Sequence, residues 1–317
     1  MDLNYIIMVH TEPKHFNRLI RALNDTDVHF YIHVDKGADI NSFRDEVKDL
    51  PNIEFMTDEF RENSSWGDFT FLRAILNSIR EVVKHSKNGY ITILSGQDYP
   101  IKSKKYVKDF YHKNNGSHFM EVNALPYAGW REFGMNRLLK YKVNLSHKRG
   151  HFFLYPSIYE KSFYSFELFL NFIRLSLRGN FSYLSKIIRR RKIPSYVKPY
   201  GGSDWWSMPV VTVNEMLSFL DEHPDYLKYF EDSLLASEMF FQTILMSLPL
   251  KDSKPRDIKP AVTYANWTRP GVITPPVLFV ESDFDELMSQ EHCLFARKFS
   301  QKVDVKILDL LDKVNQK

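Results

Sequence analysis

Residues 68–94, DFTFLRAILNSIREVVKHSKNGYITIL, decide the fold class. Phe69, Leu72, Ile75, Leu76, Ile79, Val82 and Val83 recur at helical spacing, and Asp68 stands before them as a natural N-cap. After the Ser-Lys-Asn-Gly break, Tyr90–Leu94 is a short apolar run that reads as a buried strand. The same alternation runs outward on both sides. Upstream, Tyr5–His10 reads as a strand, Lys14–Asn24 as a helix, Val28–Val34 as a strand ending at Asp35, residues 41–49 as a helix and Ile53–Met56 as a strand. Downstream come a helix at Lys104–His112 and a strand at His118–Val122. Strands alternating with helices imply an α/β fold, a Rossmann-like, mostly parallel twisted sheet flanked by helices on both faces. Ligands of such sheets collect at the carboxyl ends of the strands. His10, Asp35, Ser64–Trp66 and Ser95–Asp98 are therefore expected along one edge.

Beyond Pro199 the pattern predicts a strand around Asp204–Met208, helices near 211–221 and 234–247, a strand near 259–264 and a C-terminal helix. The expected organisation is one domain over 1–317, with an alternating half at 1–125, a basic helical insertion at 138–200 and a second half at 201–317. A hydrophobic content of 44% excludes a disordered chain. The single cysteine, Cys293, excludes an internal disulfide and fits a reducing compartment. No apolar run approaches the roughly 18 residues of a spanning helix, and Met1–His10 reads as a strand rather than a signal peptide. The net charge of +4 is unevenly spread: residues 138–200 hold thirteen Lys and Arg against Glu160 and Glu167. Phe163, Phe166, Leu168, Phe169, Leu170, Phe172, Ile173 and Leu175 interleave with them, which predicts amphipathic helix. Such a helix either lies on an anionic membrane surface or packs its apolar face on the sheet and leaves a solvated basic rim. No nucleic-acid-binding motif accompanies the cations, so a nucleic-acid partner is not expected.

Three stretches carry candidate chemistry. Arg297 and Lys298 are adjacent cations inside the apolar frame Leu-Phe-Ala-Arg-Lys-Phe, where an unpaired charge is costly; such a pair suits a phosphate or diphosphate. The competing reading is an amphipathic C-terminal helix with both side chains in water. Gly201-Gly-Ser-Asp-Trp-Trp206 has two glycines that let the backbone pass close to a ligand, with Asp204 beside a ring where it could hold a sugar hydroxyl or a nucleotide; it is also ordinary turn chemistry. In Ser237-Glu-Met-Phe-Phe, Ser237 is expected as N-cap and Glu238 in the first turn, where the positive helix end keeps a general base ionised; first-turn Glu is equally common as a cap. The first strand is followed by His10-Thr-Glu-Pro-Lys without a glycine, which excludes a dinucleotide fingerprint. No Cys/His cluster has metal-ligand spacing.

These motifs in their order (Ile32-His-Val-Asp35, Ser65-Trp-Gly67, Leu94-Ser-Gly-Gln-Asp-Tyr-Pro-Ile-Lys102, Gly201 to Trp205, Ser237 to Phe241 and Phe295-Ala-Arg-Lys-Phe299) resemble the core-2/I-branching enzyme family. That family contains β-1,6-N-acetylglucosaminyltransferases and peptide O-xylosyltransferases. The resemblance covers residues 4–310 except the basic insertion. It implies an inverting, metal-independent glycosyltransferase of the GT-A type using a UDP-sugar, with no cofactor. Carried over by position, Val9 and Asp35 meet the uracil and ribose region, and Ser64 and Trp66 line the nucleotide pocket. Asp204 and Trp205 bind the donor sugar, Glu238 is the catalytic base, and Arg297 and Lys298 clamp the diphosphate. Manganese-dependent sugar transferases place an Asp-x-Asp triplet after a central strand. Here Asp25-Thr-Asp27 precedes a strand, Asp283-Phe-Asp285 falls where a helix starts, and only Asp98 follows the strand at 90–94.

The donor implied is UDP-N-acetylglucosamine for a β-1,6 linkage, with UDP-xylose as the alternative. A non-catalytic carbohydrate- or nucleotide-binding or membrane-surface protein is the reading from another class. Animal β-1,6 members have one basic residue in the last motif and a second cation upstream, near the place of Thr274; the adjacent Arg297–Lys298 pair is similar to the xylosyltransferases. Animal members also carry an N-terminal anchor and several disulfides. The lack of both leads to the expectation of a bacterial, cytoplasmic relative at the inner face of the plasma membrane. Its expected acceptor is a glycan or lipid-linked saccharide of a surface polysaccharide, with 138–200 as a peripheral contact to anionic membrane.

Overall fold

β1 (Leu3–Val9) is buried along its whole length, and its side chains divide by parity. Tyr5, Ile7 and Val9 enter one hydrophobic cluster, while Ile6 and Met8 enter another. A strand dry on both faces belongs at the centre of a covered parallel sheet. In the computed structural model, which describes residues 1–64, 67–145, 150–177, 186–250 and 253–316, β1 pairs in parallel with β2 (Val28–Val34) and β4 (Tyr90–Ser95). β3 (Ile53–Phe55) continues the parallel half beyond β2. β6 (His118–Phe119), β11 (Ser207–Pro209) and β12 (Ile258–Lys259) complete the sheet in the order β12-β6-β11-β4-β1-β2-β3, with β11 antiparallel to both neighbours. The chain is thus α/β with a mainly parallel sheet flanked by helices.

One face is covered by α1 (Pro13–Leu23), α2 (Ile40–Glu46), α4 (Lys104–Lys113), α10 (Phe284–Met288) and α11 (Lys306–Asn315). The other holds α3 (Phe69–His85), α7 (Val210–Glu222), α8 (Pro224–Phe230) and α9 (Ser237–Ser247). A second, three-stranded sheet has β14 (Phe295–Arg297) between β5 (Asp98–Pro100) and β13 (Thr263–Ala265). Arg18 on α1 clips α11 through Asp309 and Asp312 at 2.5 and 2.7 Å. The last helix therefore fixes the wall on which β14 rests.

Several expectations change. Asp68 is the N-cap of α3 by backbone conformation, but its side chain makes no cap hydrogen bond. It accepts instead from Lys142 and, at 2.8 Å, from Asn144, because a buried ammonium competes better for a carboxylate than a backbone N–H does. The strand expected at Asp204–Met208 shortens and shifts to β11, and that at 259–264 becomes the two short strands β12 and β13. Arg297 ends a strand, not a helix. The insertion is not wholly helical. β8 (Tyr141–Asn144) and β9 (Phe152–Tyr155) form an antiparallel hairpin before the helix α6 (Phe166–Leu177), whose Leu168 and Phe172 pack on Val143, Tyr155 and Ile187. Part of its basic charge is internal: Lys186 pairs with Asp232 at 2.8 Å, and buried Arg191 donates to the carbonyls of Lys140 and Tyr229, each at 2.6 Å. Among the described residues no helix is long and apolar enough to cross a membrane.

Candidate active site

The antiparallel sense of β11 builds the site. Ser207 pairs with Thr92 and Ile93 donates to the Trp206 carbonyl at 3.0 Å, so the chain before β11 runs out past the carboxyl end of β4. That carries Asp204 and Trp205 to the edge where Ser95 and Asp98 stand. β14 pairs antiparallel with β5 in a register that sets Arg297 opposite Asp98. The guanidinium of Arg297 lies 3.6 Å from the centroid of the Trp205 ring, and its Nε is 3.6 Å from Asp98 Oδ1. The residue is 8% exposed, and its buried Nε and Nη1 have no hydrogen-bond partner. Burial works against its charge; Asp98 and Asp204 support it. Two buried nitrogens of a cation without hydrogen bonds are costly unless an anion meets them. Lys298, half-buried, follows directly; its carbonyl accepts from Phe279 N and its N–H donates to Val277.

Asp98 itself is fully buried and already engaged, accepting from Ser95 N at 2.9 Å and Ser95 Oγ at 2.6 Å. The Asp25–Asp27 triplet is at the other end of the strands, where Lys108 meets Asp25 at 2.9 Å. Asp283 caps Val280 N at 2.9 Å and pairs with Arg269 at 3.0 Å. One set with metal-ligand spacing does occur among the described residues: Glu54, Glu81 and His85, with ligand atoms within 4.8 Å of one another. Sequence spacing could not show it, because Glu54 joins the other two only through the packing of α3. It stands on β3 and the last turn of α3, the end leading to the amino edge of β4.

The Gly-Gly passage brings the catalytic candidate in. A Cβ on Gly201 would lie 2.4 Å from the Trp130 ring, and one on Gly202 would lie 1.9 Å from the Glu121 carbonyl, so both positions exclude any larger residue. Gly202 N donates to the Glu238 carbonyl at 2.8 Å, and Gln242 Nε2 donates to Ser203 O at 2.9 Å. These bonds seat the first turn of α9 against the Asp204 turn. Ser237 is not the N-cap; Ala236 is, in helical conformation and without a capping bond. The Ser237 hydroxyl turns to Asp204 instead.

Desolvation pushes the Asp204 carboxyl up to about 6, opposed by the Ser237 bond and the Arg297 and Arg137 charges. Its buried Oδ1 has no partner. Desolvation, reinforced by the Asp204 charge, pushes Glu238 up to about 7, with Arg137 pulling the other way. Arg137 Nη1 donates to Glu238 Oε2 and its guanidinium lies 3.9 Å from the Trp130 centroid. Sequence reading missed both Arg137, on α5 (Met135–Leu139), and Trp130. They lie in the stretch between the regular alternation and the insertion, and no spacing rule links either to Glu238.

The nucleotide-side candidates gather at the carboxyl ends of β1 and β2. Val9 is buried and its carbonyl accepts from Asp35 N at 2.8 Å. The Asp35 carboxylate accepts from Gly37 N at 2.9 Å and Ser64 N at 2.7 Å, so it ties the 57–64 loop to β2. Ser64 Oγ is buried without a partner. Trp66 lies outside the described residues. The structure thus brings Asp204, Trp205, Glu238 and Arg297 together, with Asp35, Ser64 and Val9 on the same sheet edge.

A family model described as Core-2/I-Branching enzyme matches residues 3–286. The chain is 22% identical over 326 residues to a xylosyltransferase of Ciona intestinalis, covering 97% of this chain and 33% of that protein. It is 24% identical over 328 residues to xylosyltransferase 2 of Rattus norvegicus, with the same coverage. The chain spans about a third of the length of these curated relatives. A solved structure of a UDP-glucose pyrophosphorylase mutant from Leishmania major overlays 70% of this chain and 52% of its own at a TM-score of 0.30 and 10% identity, too loosely to carry an argument.

Proposed function

The chain belongs to the Core-2/I-branching enzyme family, and from that premise we propose that it transfers a sugar from a UDP-sugar to an acceptor hydroxyl with inversion, in one displacement. Glu238 Oε2 is held by Arg137, which leaves Oε1 to take the acceptor proton as the hydroxyl oxygen attacks the anomeric carbon. The bond from that carbon to the diphosphate breaks, and its electron pair leaves on UDP. Arg297 and Lys298 stabilise the negative charge that grows there, the kind of fixed electrostatic contribution that is often dominant in catalysis. Asp204 and Trp205 hold the sugar; Val9, Asp35, Ser64 and Trp66 serve the nucleotide.

The observation that carries this reading is the convergence on one turn, Asp204–Trp205, of a buried guanidinium whose Nε and Nη1 make no hydrogen bond and a carboxylate whose proton affinity is raised into the neutral range. A general base needs that range, and a departing diphosphate needs that cation. Metal independence belongs to the same proposal. The one carboxylate after β4, Asp98, is committed to Ser95 and Arg297, so protein cations rather than a divalent ion are left to meet the diphosphate.

The names of the similar proteins and the adjacency of Arg297 and Lys298 favour xylose as the donor sugar. N-acetylglucosamine, implied by the β-1,6 side of the family, is the second reading. Incubation with a panel of UDP-sugars and hydroxyl acceptors, reading UDP release, tests both. Turnover with neither donor would instead support a non-catalytic binding protein, and full turnover by Glu238→Gln would remove Glu238 as the base.

A further inference from the structure

The helix α6 has two apolar faces, and among the described residues only one is packed. Leu168 and Phe172 turn to the β8–β9 hairpin, and Asn171 beside them is buried. Phe166, Phe169, Leu170, Ile173 and Leu177 recur at three- and four-residue steps and fall within an arc of about 100° on the opposite side. All five are exposed, Phe166 at 76% and Leu177 at 82%. Scattered apolar side chains on a surface need no explanation; a continuous stripe along three turns marks a surface that something covers.

Charge identifies what covers it. Residues 138–200 carry thirteen of the chain's 43 Lys and Arg but two of its 39 Asp and Glu, so the rest of the chain is net acidic. Lys142, Lys186 and Arg191 are committed to internal partners. Lys161, Arg174, Arg189, Arg190 and Lys192 are exposed around the same small cluster, where Ile158 N bonds the Ile187 carbonyl and Arg190 lies 5.3 Å from the exposed Tyr159 ring. An apolar stripe on the segment that concentrates the cations of an otherwise acidic molecule matches an anionic lipid surface, whose acyl boundary takes the stripe and whose headgroups take the cations. A second copy fits less well, because a two-fold contact would set this basic segment against itself.

We propose that α6 is a membrane-interfacial helix that seats the protein on anionic lipid through Phe166, Phe169, Leu170, Ile173 and Leu177. This stands apart from the transferase reading, since it uses none of the site residues. The test is co-sedimentation with phosphatidylcholine vesicles and with phosphatidylcholine–phosphatidylglycerol vesicles, with UDP binding measured in parallel. The wild type should sediment with the anionic vesicles, weakly with the neutral ones, and less as salt rises. A Phe169→Ser, Ile173→Ser, Leu177→Ser variant should lose partitioning by roughly tenfold or more while keeping its far-UV circular dichroism and UDP binding. Failure of the wild type to bind anionic vesicles would overturn the proposal, as would unchanged binding by the triple variant. A lipid-free dimer that the same substitutions dissolve would also overturn it and assign the stripe to a second copy. The salt and lipid dependence of the wild type alone decides the matter should the variant fold poorly.

Discussion

The guanidinium of Arg297 lies over the Trp205 ring, 3.6 Å from its centroid, and its Nε stands 3.6 Å from Asp98 Oδ1. The ring and the carboxylate hold the cation in place without a hydrogen bond to its Nε or Nη1, both of which are buried. An anion-binding group fixed in advance in this way needs no reorganisation when a diphosphate arrives. Arg297→Ala should lower turnover by about two to three orders of magnitude, and Arg297→Lys should recover only part, because an ammonium lacks the planar fork that stacks and donates along two directions. Steady-state UDP release checks both; wild-type rates for Arg297→Ala would remove the clamp from the mechanism.

Glu238→Gln keeps the shape of the side chain and removes the proton acceptor. Turnover should fall by roughly 10²- to 10⁴-fold with UDP binding preserved. Isothermal titration with UDP, run beside the rate assay, separates loss of chemistry from loss of the site.

The base must be ionised to act, so kcat/KM should rise with pH and level off above the Glu238 pKa of about 7. Arg137 lowers that value, and Arg137→Met should therefore move the acidic limb to higher pH. Asp204 raises it, and Asp204→Asn should move the limb to lower pH, though with weaker donor binding. Limbs that stay in place in both variants would exclude Glu238 as the titrating group.

Gly202 has no room for a side chain, since a Cβ would meet the Glu121 carbonyl at 1.9 Å. Gly202→Ala must push the Asp204 turn away from the first turn of α9, at a cost of about 1–3 kcal/mol. Urea unfolding measures the loss, and activity should fall further than stability because Asp204 and Glu238 are displaced relative to each other.

The parallel half of the fold was legible in the sequence because both signals were strong there. β1, β2 and β4 are dry runs, and α1 and α3 show clear helical periodicity. Short strands set by pairing rather than by pattern were not: β12 and β13 have two and three residues, and β14 reads as apolar helix until its partners β5 and β13 are known. The site was legible where chemistry forced an unusual residue. The glycines before Asp204 and the cation inside Phe-Ala-Arg-Lys-Phe both proved to be close-packed in the fold. Arg137 was not legible. It reaches Glu238 across about a hundred residues of chain, from a short helix held by the Arg191 bonds to the Arg137 and Lys140 carbonyls.

The most direct measurement is UDP release from UDP-xylose and UDP-N-acetylglucosamine, with hydroxyl acceptors, in excess EDTA and again after manganese is added. The account predicts turnover of one donor at the same rate in both conditions, and its loss in Arg297→Ala. Activity abolished by EDTA and restored by manganese would contradict it.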